Sequence, residues 1–342
     1  MAERILTVEN LKVVFHTYAG MVRGVNDVSF TLDKGEVLGI VGESGCGKSV
    51  TASAIMRLIP TPPGEILPGS KILFESQDLA TLEEQKMRQI RGNAISMIFQ
   101  DPMTALNPVL TIGLQLSESI ILHQKLSPRA AMEKAIEMLR LVGIPSPEVR
   151  VRQYPHQLSG GMRQRVMIAM ALSCNPKILF ADEPTTALDV TIQAQIIDLM
   201  KSLNERLNTS IILISHDLGV VAGLSHRVQV MYAGRIVETA KVHDLYGNPL
   251  HPYTWGLMQS IPKVTDGTHR QLQTIGGQPP DLLSPPPGCP FAPRCRFALR
   301  ICKEELPPLI EINPDHQVRC WLSHELSPVR AVDVFQKEVV NR

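Results

Sequence analysis

The chain has 342 residues, enough for one large domain or two domains with a sizeable buried core. Its formal net charge at pH 7 is +1 and aromatic residues make up 4% of the sequence, which disfavours nucleic-acid binding. The apolar runs are shorter than the ~18 residues that a membrane span needs, and residues 1–4 lack the apolar core of a signal peptide. We therefore expect a cytosolic protein.

Residues 4–36 alternate apolar and polar side chains, which predicts two or three antiparallel strands with a turn at Lys34-Gly35. Phe15 ends the second of these strands, and Tyr18 follows in a polar loop. Either aromatic ring can stack on a nucleotide base, or Phe15 can belong to the core and Tyr18 to the surface.

The stretch Gly42–Ser49 has the pattern of a phosphate-binding loop, between an apolar strand at Val37–Val41 and a helix predicted over Val50–Ile59. Glycines allow successive backbone N–H groups to point at one anion, and the helix dipole adds positive charge there. In this pattern the lysine reaches the terminal phosphates and the serine hydroxyl holds Mg²⁺. A glycine-rich turn with a chance lysine is the alternative. The predicted nucleotide-binding residues are Gly42, Glu43, Ser44, Gly45, Cys46, Gly47, Lys48, Ser49 and Val50.

The next predicted strand with a polar end covers Ile95–Phe99 and leads to Gln100. That amide can reach a metal or a water beside the phosphates, or it can be a solvated turn residue. Helical periodicity then dominates to about residue 172, with Ser127-Pro128 as a helix start and Gly143 as a helix stop. Within this helical insertion, the small residues of Leu158–Gly161 precede a predicted helix and form a second anion-binding turn.

Two further apolar strands end in residues that can act chemically. The first ends at Asp182-Glu183, and adjacent residues of an extended strand point to opposite sides. One carboxylate can therefore hold magnesium while the other orients or deprotonates a water, although an acidic pair at a strand end can simply be solvated. His216 ends the strand that begins at Ser210, where it is either structural or part of the same site.

Taken in order, these stretches are similar to the ATP-binding subunits of ABC transporters. The resemblance covers Ile5 to about Glu238 and implies an α/β fold, a P-loop (RecA-like) ABC ATPase core with an antiparallel β subdomain and a helical subdomain. The implied nucleotide-binding domain is residues 1–240, with the helical subdomain at about 101–172. The matching features are the phosphate loop, Gln100, Leu158–Gly161, Asp182-Glu183, Ala187–Asp189 and His216.

The resemblance also implies a role for each matched residue. Glu183 is the implied catalytic base, with His216 at the γ-phosphate, and Phe15 is favoured over Tyr18 for base stacking. Two chains would face each other with two ATP molecules between them. The residues that would bind Mg²⁺ and the phosphates are Lys48, Ser49, Gln100 and Asp182. The residues that would contact the ATP held by the partner chain are Ser159, Gly160 and Gly161. Met162 stands where many family members have glutamine.

Three other stretches look like the dipeptide/oligopeptide import subfamily, and most like its dipeptide-permease ATPases of the D type. They are Gln100–Pro108, Met231–Glu238 and His251–Thr254 with the cysteine-bearing tail. This resemblance implies an ATPase at the cytoplasmic face of the cell membrane. Its implied partners are a second ABC ATPase subunit, two transmembrane permease subunits and an extracytoplasmic peptide-binding protein. Nickel importers share most of these features, and a soluble ABC ATPase is a further alternative.

From Gly276 onward the chain is rich in proline, which excludes long helices. The subfamily resemblance implies that residues 241–342 form a C-terminal extension of the oligopeptide-transporter type. This extension contains Cys289, Cys295, Cys302 and Cys320. A disulfide framework does not suit the cytosol, whereas four thiolates can hold zinc or an iron–sulfur cluster. The wide spacing favours a cluster over zinc, free thiols stay possible, and the subfamily resemblance implies [4Fe-4S]. The segment is then a structural staple or a redox-sensing module.

Overall fold

The computed structural model describes residues 3–186, 188–260, 275–331, 333 and 335. The chain divides into two compact units. The first is formed by described residues within Met1–Leu6, Thr31–Val37 and Leu73–Ser215. The second is formed by described residues within Thr7–Phe30, Leu38–Ile72 and His216–Arg342.

Strands and helices alternate along much of the chain. The strands are β1 (Arg4–Thr17), β2 (Gly20–Asp33), β3 (Val37–Val41), β4 (Gly64–Ile66), β5 (Lys71–Phe74), β6 (Gln77–Asp78), β7 (Ile95–Ile98), β8 (Ile178–Asp182), β9 (Ser210–Ser215), β10 (Arg227–Tyr232), β11 (Arg235–Lys241), β12 (Ile310–Asn313) and β13 (His316–Val318). The α-helices are α1 (Lys48–Ile55), α2 (Glu84–Ile90), α3 (Pro102–Ala105), α4 (Ile112–Gln124), α5 (Pro128–Leu141), α6 (Pro147–Arg150), α7 (Gly160–Leu172), α8 (Val190–Leu207), α9 (Leu218–Leu224), α10 (Val242–Gly247), α11 (Pro252–Gln259) and α12 (Ile301–Glu304).

The first unit contains a parallel sheet in the order β9-β8-β7 and a group of helices. Every residue of β8 and β9 is buried, as expected for parallel strands covered on both faces. The helices α4, α5 and α7 pack against one another. Thr111 and Ser127 cap α4 and α5 with their side-chain oxygens, which accept the backbone N–H groups of Leu114 and Ala130. Because β7 and β8 are parallel, their carboxyl ends lie at the same edge of the sheet.

The second unit contains strands in the order β12-β13-β11-β10-β3. Here β3 pairs with β10 in parallel, whereas β10, β11, β13 and β12 pair antiparallel. In the same unit, β4 pairs antiparallel with the carboxyl-terminal part of β1. Between residues 275 and 330, the described helices are no longer than four residues, which fits the proline content of that segment.

Two predicted elements have different bounds in the structure. The two short strands predicted before Tyr18 form one long strand, because the break in alternation falls on Asn10, whose φ of 51° bends the strand without ending it. The predicted helix Val50–Ile59 ends at Ile55, since Arg57 adopts a left-handed φ of 51°. In the described part of the chain, no helix is both long and apolar enough to cross a membrane.

Candidate active site

The phosphate loop lies between the buried strand β3 and the first turn of α1. Gly42, Gly45 and Gly47 have positive φ values of 155°, 79° and 105°. A Cβ atom at Gly42 would collide with the carbonyl oxygen of Met231, so this position requires glycine for space as well as for conformation. The loop therefore brings backbone N–H groups and a helix N-terminus to one place, which is an anion-binding arrangement.

Lys48 is the first residue of α1, and its side chain turns back into the loop, where it is 5% exposed. Its Nζ donates to the carbonyl oxygens of Gly42 at 2.8 Å and Glu43 at 3.0 Å. The ammonium group is thus held among the backbone groups that would surround a phosphate. The neighbouring thiol of Cys46 is buried, and burial raises its pKa, which keeps it neutral.

The side chain of Glu43 leaves the loop in a different direction from Lys48 and is bonded to the C-terminal part of the chain. Its carboxylate accepts two hydrogen bonds from Arg294, and its backbone N–H donates to the Tyr253 hydroxyl at 2.8 Å. Sequence reasoning missed both partners. No motif in the sequence marks a contact between residues 251 positions apart.

Phe15 lies in β1 and is half-buried, whereas Tyr18 is fully exposed in the turn that follows. The ring of Phe15 lies beside Gly24 and Gly64, where a Cβ atom would be 2.9 Å and 3.1 Å from ring carbons. The ring is therefore fixed by close backbone neighbours in the second unit. Its predicted stacking on a base stays a prediction.

In the first unit, Gln100 and Glu183 follow the neighbouring parallel strands β7 and β8, and their side chains meet. Gln100 Nε2 donates to Glu183 Oε2 at 2.9 Å. Thr186 Oγ1 donates to the same oxygen at 2.9 Å. Thr186 is a residue that sequence reasoning missed, although its place three residues after the acid is typical of a turn that hydrogen-bonds back on itself.

The backbone at the acidic pair departs from a simple strand. Asp182 is the last residue of β8 and is buried, but Glu183 has a φ of 48° and donates its N–H to the Ile214 carbonyl at 2.9 Å. A non-glycine residue with positive φ is uncommon and often marks a functional position. The chain therefore leaves strand geometry at Glu183, so alternation along a strand does not describe how this acid is placed relative to Asp182.

The remaining candidates in this region occupy exposed element ends. Ser159 caps α7, with its Oγ accepting the N–H of Met162 at 3.4 Å, and both Ser159 and Gly160 are exposed. Gly161 lies so close to Ile192 that a Cβ atom would be 2.9 Å from its Cγ2 atom. His216 directly follows β9 and is exposed. Their roles toward ATP stay predictions.

The four C-terminal cysteines line one small cavity, together with apolar and aromatic side chains. Burial raises the pKa of Cys289 to about 11 and that of Cys295 to about 12, and it also raises the pKa of Cys320. Each of these thiols is therefore protonated at neutral pH. Within the described residues, no group of three or more His, Cys, Asp or Glu side chains is placed to hold a metal ion.

Comparison with known proteins identifies the family of this chain. The sequence profile described as "ABC transporter" matches residues 25–186, and the profile "Oligopeptide/dipeptide transporter, C-terminal region" matches residues 237–302. The fold and the phosphate loop define a P-loop ATPase of the ABC cassette type. More specifically, this chain belongs to the ABC transporter ATP-binding proteins that carry the oligopeptide/dipeptide transporter C-terminal region.

Several relatives and solved structures are similar over most of their length. The oligopeptide transport ATP-binding protein OppD of Bacillus subtilis is 53% identical, over 99% of this chain and 95% of that protein. The dipeptide transport ATP-binding protein DppD of the same organism is 54% identical, over 94% and 96%. The dimeric ATP-binding cassette MJ0796, bound to ADP and Pi, has a TM-score of 0.62 at 26% identity, over 69% of this chain and 98% of that one.

A second solved structure is cbiO1 of Clostridium perfringens, part of the transporter complex cbiONQ. Its TM-score is 0.61 at 26% identity, over 72% of this chain and 92% of that one. These similarities confirm the predicted ABC ATPase fold.

Proposed function

We propose that this protein is the ATP-binding and ATP-hydrolysing subunit that powers import of dipeptides or oligopeptides. The observation that carries the proposal is the phosphate loop, in which Lys48 is buried among backbone groups at the start of α1. The peptide substrate class is supported by the names of the relatives and by the C-terminal profile.

Binding of ATP follows from the loop's own groups. The N–H groups of Gly42–Ser49 and the N-terminus of α1 would surround the phosphates. Lys48 Nζ now donates to two loop carbonyls, and on binding it would exchange them for phosphate oxygens. Since a charge-assisted hydrogen bond to an anion is stronger than one to a neutral carbonyl, this exchange favours the triphosphate.

Hydrolysis is assigned to Glu183, whose carboxylate would orient a water and accept its proton. Gln100 and Thr186 both donate to Oε2 of this carboxylate and hold it in one orientation. Ser49, Gln100 and Asp182 would hold Mg²⁺, which supplies charge stabilisation to the phosphate oxygens. His216 is assigned to the γ-phosphate by its family position.

A second ATPase subunit would complete the nucleotide site through the turn at Ser159–Gly161. Its exposed position at the N-terminus of the 13-residue helix α7 suits an anion held by another chain. ATP binding would then close the two chains on each other, and loss of the γ-phosphate would let them separate.

The membrane partners are assigned to the helical part of the first unit. After Gln100 this region exposes Val109 at 75%, Leu114 at 54% and Leu122 at 58%. Exposed apolar side chains of this size are typical of an interaction surface. We assign it to two permease subunits, served by an extracytoplasmic peptide-binding protein, with this chain at the cytoplasmic face of the membrane.

The Glu183→Gln variant tests the hydrolytic assignment. It keeps the side-chain volume but removes the base, so we expect turnover to fall by about 100-fold or more while ATP still binds. Glu133→Gln is the matched control, because Glu133 is an exposed acid of α5 paired only with Arg129 in the contacts described. Near-normal hydrolysis by Glu183→Gln, with Glu133→Gln also normal, would place the base elsewhere.

We also propose that Cys289, Cys295, Cys302 and Cys320 hold a [4Fe-4S] cluster. Four soft sulfur donors around one apolar cavity fit such a cluster, which ties the proline-rich loops together when bound. Zinc sites usually contain pairs of cysteines two to four residues apart, and the four cysteines have no such pair. Chain purified without oxygen should contain iron and acid-labile sulfide in equal amounts. Stoichiometric zinc without sulfide would contradict the cluster.

A further inference from the structure

The phosphate loop is joined to the cysteine segment by an ion pair between Glu43 and the buried side chain of Arg294. Arg294 Nη1 donates to Glu43 Oε2 at 2.6 Å, and Arg294 Nη2 donates to Glu43 Oε1 at 2.9 Å. This two-bond pairing fixes the direction of the carboxylate as well as its distance. Arg294 is the residue before Cys295, so one peptide bond separates the ion pair from a proposed cluster ligand.

Arg294 itself is held in one conformation. Its side chain is 4% exposed, and Nε donates to the Gly276 carbonyl at 2.9 Å. Further donor bonds go to the Tyr232 hydroxyl at 3.2 Å and to the Ile275 carbonyl at 3.2 Å. The hydrogen bonds to Glu43 raise the pKa of Arg294, so its charge is permanent. A guanidinium fixed on every side transmits a displacement of its backbone to Glu43.

A second contact reinforces the first. The Tyr253 hydroxyl accepts the backbone N–H of Glu43 at 2.8 Å, and Tyr253 is fully buried. The rings of Tyr253 and Tyr232 both pack against Phe291, at centroid distances of 5.4 Å and 5.3 Å. Phe291 lies between Cys289 and Cys295 in the sequence. The side chain of Glu43 therefore contacts the cysteine-bearing segment directly, and its backbone contacts that segment through Tyr253.

We propose that Arg294 is a positioning residue for the phosphate loop and makes ATP affinity depend on the conformation of the cysteine segment. The peptide of Glu43 carries the carbonyl that holds Lys48, so a shift of Glu43 moves the groups that would receive the phosphates. By thermodynamic linkage, bound ATP must in turn restrain the cysteine segment. This inference rests on the proposed function, since it needs ATP at the phosphate loop.

The first test is a double-mutant cycle on ATP affinity, measured by equilibrium dialysis with Mg-ATP. Arg294→Gln and Glu43→Gln should each raise the Kd by about tenfold, with the double variant no weaker than either single one. Arg294→Lys should fall between wild type and Arg294→Gln, because lysine keeps the charge but not the two-bond geometry. Arg300→Gln, in the same segment but 92% exposed, should bind like wild type.

The second test measures the reciprocal effect without ATP turnover. In cluster-free, reduced chain, Mg-ATP should slow alkylation of Cys295 by N-ethylmaleimide about tenfold, as read by mass spectrometry, and Arg294→Gln should abolish this protection. Additive effects in the cycle, or equal protection in Arg294→Gln, would overturn the inference. Wild-type chain that binds no ATP would instead overturn the proposed function. Glu43→Gln does not change the sequence of the cysteine segment, so this variant still tests the inference if Arg294→Gln folds poorly.

Discussion

Glu43 and Glu183 are two glutamates of the proposed nucleotide-binding machinery that accept their described side-chain hydrogen bonds from different kinds of donor. Glu183 accepts its described side-chain hydrogen bonds from neutral donors, the amide of Gln100 and the hydroxyl of Thr186. Glu43 accepts its bonds from a guanidinium that occupies both carboxylate oxygens. The same side chain is thus oriented by dipoles in one place and by a full charge in the other.

The difference separates a chemical role from an architectural one. A carboxylate oriented by neutral donors keeps its negative charge uncompensated by those donors and can still take a proton from water. A carboxylate paired with arginine at both oxygens has its negative charge compensated by the guanidinium and instead joins two segments. We infer that the charge of the hydrogen-bond donor distinguishes a catalytic base from a structural glutamate better than proximity to the phosphate loop does.

The largest expected effect comes from shortening each glutamate by one methylene. Glu183→Asp keeps the charge but withdraws it from the proposed water, so kcat should fall by about 100-fold with little change in KM. Glu43→Asp should instead raise KM by about tenfold, with kcat within about threefold of wild type. Steady-state ATP hydrolysis measures both parameters. A loss of kcat in Glu43→Asp that equals the loss in Glu183→Asp would erase the distinction between the two residues.

Local patterns in the sequence predicted the groups that sit on one element. The glycines of the phosphate loop, Gln100 after β7 and Asp182 at the end of β8 are each specified by neighbouring residues. The strand β9 begins at Ser210 as predicted but ends at Ser215, one residue before His216, where the sequence placed its end. Short-range backbone geometry is encoded within a few residues, so a motif with its flanking strand and helix is enough to place it.

Contacts between distant segments could not be predicted in the same way. The partner of Glu43 lies 251 residues along the chain, and no periodicity connects Arg294 to a glycine-rich loop. The positive φ of Glu183 could not be predicted from the sequence either, since glutamate has no general preference for that conformation. Both features depend on tertiary packing, which fixes a side chain or a backbone angle that local propensity leaves open.

A smaller effect is expected at His251, which accepts a hydrogen bond from Tyr253, the residue whose hydroxyl accepts the backbone N–H of Glu43. Its Nδ1 accepts the N–H of Tyr253 at 3.0 Å, and full burial lowers its pKa to about 3. The unfolded imidazole takes up a proton below about pH 6.5 and the folded one does not, so the free energy of unfolding falls as pH drops from 6.5 toward 3. At pH 5 this loss amounts to about 2 kcal/mol.

The variant His251→Asn should remove most of that pH dependence, because asparagine can cap α11 without titrating in this range. Urea unfolding at pH 7.5 and pH 5, followed by tryptophan fluorescence, measures the pH dependence of the free energy of unfolding. Both tryptophans, Trp255 and Trp321, report on the C-terminal part of the chain. His243→Asn is the control, since the His243 side chain is 99% exposed. An unchanged pH dependence in His251→Asn would show that another group titrates there.

The smallest effect is expected from an exposed ion pair of the same length as the Glu43 contact. Arg140 Nη2 lies 2.6 Å from Glu148 Oε1, but both side chains are 59% exposed. Water and salt screen such a pair, so Glu148→Gln should change neither the midpoint of urea unfolding nor the Kd for ATP. Circular dichroism follows the unfolding. A Glu148→Gln variant as impaired as Glu43→Gln would mean that contact length, and not burial between two segments, decides which glutamates matter.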